Sequence, residues 1–168
     1  MPRLILLRHS KAAKAERGMR DSERPLTERG RSDAGQVGSE LARMNLVPDL
    51  VLCSPALRTR QTWDGVAAML PGPAGEVVYP DALYNGDAKV YLAALSTSKP
   101  VQTAMIVGHN PTMEELAALL AVRGTPEALA LLERGYPTSG LAVFSFTAEL
   151  ADIGPRSGFL ERFLARPE

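Results

Sequence analysis

Short apolar runs separated by stretches of helical periodicity constrain the fold of this chain more than any other feature of its sequence. Residues Ala34, Val37, Leu41 and Met44 share one face of a predicted helix that begins near Thr27. The apolar runs are rich in Leu, Ile and Val, have the length of strands and lie at residues 3–7, 50–53, 76–79, 104–107 and 141–146. Apolar strands that alternate with helices predict an α/β fold: a three-layer sandwich in which a mostly parallel central sheet carries helices on both faces.

The remaining segments are assigned by the same signals. Three more helices are predicted from periodicity, over residues 56–70, 88–96 and 113–122. Gly and Pro mark loops at residues 70–75 and 135–140. The C-terminal residues 157–168 fit either a last strand or a short helix.

Length, charge and cysteine content limit the class of protein. The 168 residues predict one domain over residues 1–168, and 19 basic residues balance 19 acidic ones. A chain without net charge gives no reason to expect nucleic acid or an anionic membrane as partner. Cys53 is the only cysteine, which excludes an internal disulfide and favours a reducing compartment. The first apolar run ends at Arg8, too early for a signal peptide or a membrane span, so we expect a cytoplasmic protein.

Polar side chains follow three of the predicted strands at the point where each strand ends. Arg8 and His9 follow the first, "SPALRTRQT" follows the second and "GHNPTMEEL" the fourth. Ser54-Pro55 and Asn110-Pro111 each combine a good N-cap residue with a proline suited to the first helical position. Helices that start there would turn their free N–H groups toward an anion at the carboxyl edge of the sheet.

The residue types at this edge indicate phosphoryl chemistry. The chain has two histidines, His9 and His109, and both lie at these strand ends, together with Arg8 and Arg58. An arginine guanidinium matches the geometry of a phosphate, and a neutral imidazole can attack phosphorus and hold the phosphoryl group covalently.

The segments "RHSKA", "RPLTERG", "SPALRTRQT" and "VGHNP", in this order, resemble the histidine phosphatase superfamily, and in particular its small phosphohistidine phosphatases of the SixA type. The resemblance covers residues 3–146 and implies a phosphoglycerate mutase-like fold. It also implies His9 as the nucleophile, Arg8, Arg58 and His109 as the phosphate pocket, and no metal or other cofactor. The family pattern selects Arg58, four residues after Ser54 and four before Thr62, and leaves Arg60 as a solvated helix residue.

Three features of the sequence do not follow from the common pattern of the superfamily. Ser10 stands where many members have glycine, which we interpret as a mark of the subfamily. Arg24 is either a helix-entry residue or a contact for the phosphorylated substrate at the rim of the pocket. No general acid stands in a recognisable motif, and the carboxylates in the relevant interval are most simply surface residues: Glu76, Asp81 and Asp87.

Other phosphate chemistries fit the residues less well. A cysteine phosphatase requires Arg six residues after its Cys, whereas Thr59 occupies that position relative to Cys53. Cys53 is better explained as a buried strand residue. Two histidines about a hundred positions apart, without neighbouring carboxylates, do not have the spacing of metal ligands, and no Walker-type phosphate loop is present.

The predicted reaction is attack of neutral His9 on phosphorus, followed by hydrolysis of the phosphohistidine by water. His9 must be unprotonated, whereas His109 serves best as a donor, so we expect their environments to separate the two pKa values. The absence of an acid motif favours phosphohistidine in a protein as substrate, because imidazole is a better leaving group than an alkoxide. A small-molecule phosphomonoesterase and a module that binds a phosphorylated ligand without turnover are the alternatives.

Overall fold

A computed structural model describes residues 1–167. Seven strands and five helices lie within that range, in the order β1 (Arg3–Arg8), α1 (Glu28–Arg43), β2 (Leu50–Cys53), α2 (Leu57–Ala67), β3 (Glu76–Val78), α3 (Ala88–Ser96), β4 (Thr103–Gly108), α4 (Thr112–Leu120), β5 (Ala121–Gly124), α5 (Pro126–Glu133), β6 (Leu141–Ser145) and β7 (Gly158–Leu164). Short 3₁₀ helices lie at Asp21–Glu23, Asp81–Leu83 and Leu150–Asp152. In the described part of the chain no helix is both long and apolar enough to cross a membrane.

All seven strands form one sheet in the order β3-β2-β4-β1-β6-β7-β5. Strand β1 pairs in parallel with β4, and β2 in parallel with β3 and β4. Strand β6 runs antiparallel to both β1 and β7, while β5 and β7 are parallel. The prediction of a mostly parallel central sheet is therefore confirmed. Because β6 runs against β1, the loop before β6 reaches the same edge of the sheet as the loop after β1.

Two apolar layers cover the two faces of the sheet. Leu4 and Leu6 of β1 face a core built with residues of α3, α4 and α5. The alternate residues Ile5 and Leu7 face a second core, to which α1 and α2 contribute, and Trp63 lies there as the sequence suggested. Strand side chains alternate between faces, so a strand covered on both sides reads as a continuous apolar run. The predicted three-layer α/β sandwich is confirmed.

The half of the sheet beyond β6 differs from the sequence expectation. The helix predicted over residues 113–122 ends at Leu120, and Ala121–Gly124 forms the edge strand β5. The ambiguous C-terminal segment contains strand β7. Helix α5 was not predicted, although Thr125 accepts a hydrogen bond from the Ala128 N–H and a proline follows it, which is a recognisable helix start.

The two helix starts predicted at Ser54-Pro55 and Asn110-Pro111 are wrong by two residues or fewer. Helix α2 begins at Leu57 and α4 at Thr112, with Ala56 and Pro111 at the cap positions. The physical reason is that tertiary contacts also hold both proposed cap side chains. The Ser54 hydroxyl lies against His109, and the Asn110 amide group donates to the carbonyl of Tyr136. Asn110 Oδ1 still accepts from the Glu114 N–H at 3.2 Å, so Asn110 supports the first turn of α4 from the position before the cap, whereas α2 lacks the predicted side-chain cap.

The start of α1 does agree with the sequence and fixes the loop after β1. Thr27 caps the helix by accepting a hydrogen bond from the Gly30 N–H. A Cβ atom on Gly30 would lie 2.1 Å from the carbonyl oxygen of Lys11, so only glycine allows the helix to approach that loop this closely. The first turn of α1 thereby supports the segment that carries Arg8 and His9.

Candidate active site

The carboxyl ends of β1, β2 and β4 meet at one edge of the sheet and border a pocket of about 360 Å³. Arg8 pairs with Gly108 across β1 and β4, and the N–H of His9 donates to the Gly108 carbonyl at 3.0 Å. The rings of His9 and His109 consequently lie 5.5 Å apart. All five residues singled out from the sequence line this pocket: Arg8, His9, Arg24, Arg58 and His109.

A hydrogen bond to a carbonyl fixes the tautomer of His9. Nδ1 of His9 lies 2.7 Å from the carbonyl oxygen of Ser10. A carbonyl oxygen can only accept, so Nδ1 carries the proton and Nε2 keeps its lone pair. Burial lowers the pKa of His9 to about 3, the Ser10 carbonyl opposes this shift, and the charges of His109, Arg58 and Arg8 add to it. Near neutral pH His9 is therefore an unprotonated imidazole with a lone pair on Nε2.

His109 lies almost fully buried beside His9. Its Nε2 lies 2.7 Å from the hydroxyl oxygen of Ser54, and its main-chain N–H donates to the hydroxyl of Tyr91. Burial above all, together with the charge of Arg58, lowers the pKa of His109 to about 4. The expectation that the two histidine pKa values would separate is wrong: both imidazoles are neutral at pH 7, because both are buried beside arginines.

Arg58 is a buried cation on the first turn of α2, and both of its Nη atoms donate hydrogen bonds to Asp21. Its Nη1 donates to the carbonyl of Asp21 at 2.9 Å, and its Nη2 donates to the Asp21 carboxylate at 3.0 Å. Only 7% of Arg58 is exposed. Arg60, by contrast, is exposed and lies over the ring of Tyr79 at 4.1 Å from its centroid. Arg58 is thus buried at the pocket, whereas Arg60 is exposed on the same helix, as expected for a solvated residue.

Asp21 is the residue of the site that sequence reasoning missed. Besides Arg58, its carboxylate accepts hydrogen bonds from the hydroxyl of Tyr84 and from Nη1 of Arg24. These bonds, that of Tyr84 above all, hold the pKa of Asp21 well below its usual range. The spacing of Asp21 and Arg24, three residues apart, was the available signal. Arg24 also donates to the carbonyl of Ala13, so it braces the loop as well as lining the pocket.

Arg8 is positioned by the loop that precedes β6. Its Nη1 donates to the carbonyl of Tyr136 at 2.9 Å, and its main-chain N–H donates to the carbonyl of Gly140. The same loop gives a reason for a serine and not a glycine at position 10, since the Ser139 hydroxyl donates to the Ser10 hydroxyl oxygen at 2.7 Å. Ser10 is fully buried, so a glycine there would lose this tie between the two loops.

The three carboxylates considered as general acids lie on the surface and not at the pocket. Glu76 pairs with Lys99 at 2.8 Å, Asp81 is exposed in a 3₁₀ helix, and Asp87 caps α3 by accepting from the Val90 N–H. Asp33 does line the pocket, where it lies 3.6 Å from Arg29.

Two further expectations concern Cys53 and metal ions. Cys53 is buried, and burial raises the pKa of its thiol to about 12, so the sulfur is not a thiolate nucleophile at neutral pH. Among residues 1–167, no three His, Cys, Asp or Glu side chains lie together as a metal-binding group.

Comparison with known proteins agrees with this geometry. The profile of the histidine phosphatase superfamily (branch 1) matches residues 4–83. Phosphohistidine phosphatase SixA of Escherichia coli is 32% identical over 126 residues, which are 73% of this chain and 76% of the relative. The chain belongs to the histidine phosphatase superfamily. Its fold is the phosphoglycerate mutase-like fold of that superfamily.

Solved structures place this histidine phosphatase near the SixA type. A structure from Agrobacterium tumefaciens that carries the SixA name is 38% identical, covers 99% of both chains and superposes with a TM-score of 0.81. A structure of the protein histidine phosphatase SixA complexed with tungstate is 25% identical, with a TM-score of 0.76 over 97% of this chain and 96% of the other. The chain is thus a phosphohistidine phosphatase-like member of the superfamily.

Proposed function

We propose that this protein is a phosphatase that removes phosphate from phosphohistidine in a protein, through a phosphohistidine intermediate on His9. The observation that carries the proposal is the hydrogen bond from His9 Nδ1 to the Ser10 carbonyl. It leaves the lone pair on Nε2, while burial keeps the ring unprotonated. A nucleophile that needs no deprotonation stands beside Arg8 and Arg58 in a pocket of about 360 Å³, within the range of small-ligand sites.

In the first step, Nε2 of His9 forms a bond to phosphorus as the phosphorus bond to the leaving group breaks. His9 then carries a positive charge, which the Ser10 carbonyl stabilises through Nδ1–H. Arg8 and Arg58 offset the negative charge on the phosphoryl oxygens. In the second step, water attacks phosphorus, the Nε2–P bond breaks, and its electron pair returns to Nε2. The products are dihydrogen phosphate, which keeps both protons of the water, and neutral His9. In this scheme the chain's own arginines supply the electrostatic stabilisation.

The carboxylates near the pocket support P–N over P–O cleavage. Asp21 is held ionised by Tyr84, Arg24 and Arg58, so it has no proton to give. Asp33 lies against Arg29. A phosphohistidine that is protonated on its second nitrogen leaves as neutral imidazole and needs no acid, whereas an alkoxide does.

The likeness to SixA supports a phosphorylated protein as the partner. One SixA structure holds tungstate, an oxyanion that resembles phosphate. Here the pocket is bordered by further cations, Lys11, Arg24, Arg29 and Arg166, which suit a phosphorylated and anionic surface. We place the protein in the cytoplasm, because the single buried Cys53 fits a reducing compartment.

The decisive experiment compares two substrates. Turnover is measured on a phosphohistidine-containing protein and on an alkyl phosphate, for wild type and for the single variants Glu76→Gln, Asp81→Asn, Asp87→Asn and Asp33→Asn. We expect the P–N substrate to be preferred and all four variants to retain wild-type rates on it. General acid catalysis contributes about 10² to 10⁴-fold. Efficient ester hydrolysis that falls by that factor in one variant would instead show a small-molecule phosphomonoesterase.

The covalent step has its own test. His9→Gln should show no turnover and no labelled protein after reaction with a ³²P-phosphohistidine substrate, while its thermal unfolding stays cooperative. Retention of a tenth of the wild-type rate would exclude His9 as nucleophile. Binding without turnover by wild type, on either substrate, would identify a binding module.

A further inference from the structure

Among residues 1–167, the hydroxyl group of Ser54 has one hydrogen-bond acceptor, Nε2 of His109. Ser54 is completely buried, and its Oγ lies 2.7 Å from that nitrogen. The same oxygen accepts a long hydrogen bond, 3.5 Å, from the N–H of Ala56. Within residues 1–167 the Ser54 side chain makes no other hydrogen bond. A buried hydroxyl hydrogen needs an acceptor, and only the imidazole offers one.

This arrangement selects a tautomer of His109. If Ser54 donates, Nε2 of His109 carries the lone pair and Nδ1 carries the proton. If Nε2–H donated instead, the Ser54 hydroxyl hydrogen would be left buried without an acceptor. Burial and the charge of Arg58 keep His109 neutral at pH 7, so one of the two tautomers must be present.

The proton on Nδ1 of His109 has no partner among residues 1–167. Nδ1 of His109 is buried and makes no hydrogen bond to any residue that the structure describes. The ring that bears it lies 5.5 Å from the ring of His9. A buried polar atom without a partner next to a nucleophile is a site at which a bound ligand completes the hydrogen bonding.

We propose that Ser54 is a positioning residue that holds His109 in the Nδ1–H tautomer, so that Nδ1 donates to the phosphoryl group as it moves to His9. The inference rests on the proposed function of His9. The opposite tautomer would direct a lone pair at the phosphoryl oxygens. Both histidines then share one tautomer but use opposite nitrogens: His9 offers the Nε2 lone pair and His109 offers the Nδ1 proton. No separation of pKa values is needed.

The surrounding backbone keeps Ser54 at the required distance. The Ser54 N–H donates to the carbonyl of Val107 at 2.9 Å, which ties the end of β2 to the strand that leads into His109. The Thr59 hydroxyl lies 2.8 Å from the carbonyl oxygens of both Ser54 and Ala56 and donates to that turn. Thr59 therefore offers a control that loosens the same turn without removing the proposed donor.

The test reads the tautomer directly and needs no substrate. The chain has only two histidines, so ¹⁵N–¹H correlation through two and three bonds resolves both rings, and His9→Gln assigns them. We expect Nδ1–H for His109 at pH 7 in wild type and in Thr59→Val, and a mixture of tautomers in Ser54→Ala. An Nε2–H tautomer in wild type overturns the proposal. So does an unchanged spectrum in Ser54→Ala, or an equal shift in Thr59→Val.

Kinetics supply the second readout. Ser54→Ala should lower kcat by about tenfold or more with little change in KM. The reason is that the hydrogen bond from His109 Nδ1 is strongest to the negative charge that develops on the phosphoryl group during transfer. Ser54→Thr, which keeps a hydroxyl, should restore both the tautomer and most of kcat. Wild-type kcat in Ser54→Ala overturns the proposal. Failure of the proposed function would look different: an Nδ1–H tautomer in a protein that forms no phosphoenzyme.

Discussion

Asp21 binds Arg58 through both its main chain and its side chain. The two guanidinium Nη atoms donate to the Asp21 carbonyl and carboxylate at 2.9 and 3.0 Å. This pair joins the loop before α1 to the first turn of α2. Arg58 is thus oriented before any phosphate arrives, and its Nε is buried without a hydrogen-bond partner in residues 1–167. Orientation in advance is what makes a cation effective in catalysis.

Asp21→Ala should therefore reduce kcat/KM by about tenfold, which corresponds to about 1.4 kcal/mol. The effect is smaller than loss of Arg58, because the main-chain carbonyl of Asp21 remains and water partly screens its exposed carboxylate. Steady-state kinetics on a phosphohistidine protein measure it. Glu23→Ala is the matched control, since Glu23 lies in the same 3₁₀ helix and, within residues 1–167, its carboxylate has hydrogen-bond and ion-pair contacts with Arg20 alone. Equal losses in both variants would assign the effect to the helix and not to Arg58.

Arg58→Ala should lose about a hundredfold in kcat, and Arg60→Ala should lose little. Removal of one preorganised charge from a reacting centre costs about 3 kcal/mol. Arg60 lies over Tyr79 and donates to the carbonyl of Pro55, away from the pocket. The comparison is made at saturating substrate, with circular dichroism to show that both variants are folded. Comparable rates in the two variants would contradict the assignment of Arg58.

Turnover should persist on mild acidification. The pKa of His9 is lowered to about 3, so the nucleophile stays unprotonated between pH 7 and pH 5. The neutral fraction of a histidine with the ordinary pKa of about 6.5 would fall about 25-fold over that range. The measurement is single-turnover phosphoryl transfer, corrected for the uncatalysed decay of the substrate at each pH. A titration with a midpoint near pH 6.5 would show that His9 is not desolvated.

The free energy of unfolding, unlike turnover, should fall as the pH is lowered. Both histidine pKa values are lower in the folded protein than the usual 6.5. Between about pH 6.5 and pH 4 the unfolded chain therefore binds protons that the folded chain does not, and acid destabilises the fold. Each histidine contributes up to about 1.4 kcal/mol per pH unit. Urea unfolding of wild type and of His9→Gln at pH 7 and pH 5 measures this dependence. From pH 7 to pH 5 the variant should lose less stability than wild type.

Gly30→Ala should destabilise the protein by about 1–3 kcal/mol, the usual cost of forcing atoms into a packed site. Its Cβ would lie 2.1 Å from the Lys11 carbonyl oxygen, a backbone atom that cannot move aside alone. Gly35→Ala on the same helix is the control, because its Cβ would meet nothing nearer than the Met69 side chain at 3.9 Å. That variant should gain up to about 1 kcal/mol from helix propensity. Denaturant unfolding compares the two, and equal stability would contradict the close approach.

The sequence predicted those parts of the fold and site that depend on local pattern. Buried parallel strands have a continuous apolar signal, so β1, β2 and β4 were placed correctly, and with them the two histidines and Arg58. Strand β5 was missed, because Ala121–Gly124 is short, lies at the sheet edge and follows a helical pattern without interruption. Asp21 was missed because a loop has no periodicity, and nothing local shows that Arg58, far along the chain, is its partner. The Ser54 and Asn110 side chains follow the cap rule by type, yet Ser54 contacts His109 instead, and Asn110 binds the Tyr136 carbonyl as well as the first turn of α4.

The bond from Arg8 to the Tyr136 carbonyl links positions 128 residues apart in the chain. Every side chain proposed for the chemistry has already been synthesised by residue 109, but the acceptor that orients Arg8 has not. Strand β6, which completes the pairing of β1, comes later still. A nascent chain that already carries both histidines and both arginines therefore lacks this acceptor until Tyr136 has been synthesised. We expect activity to arise only once β6 has closed the sheet against β1.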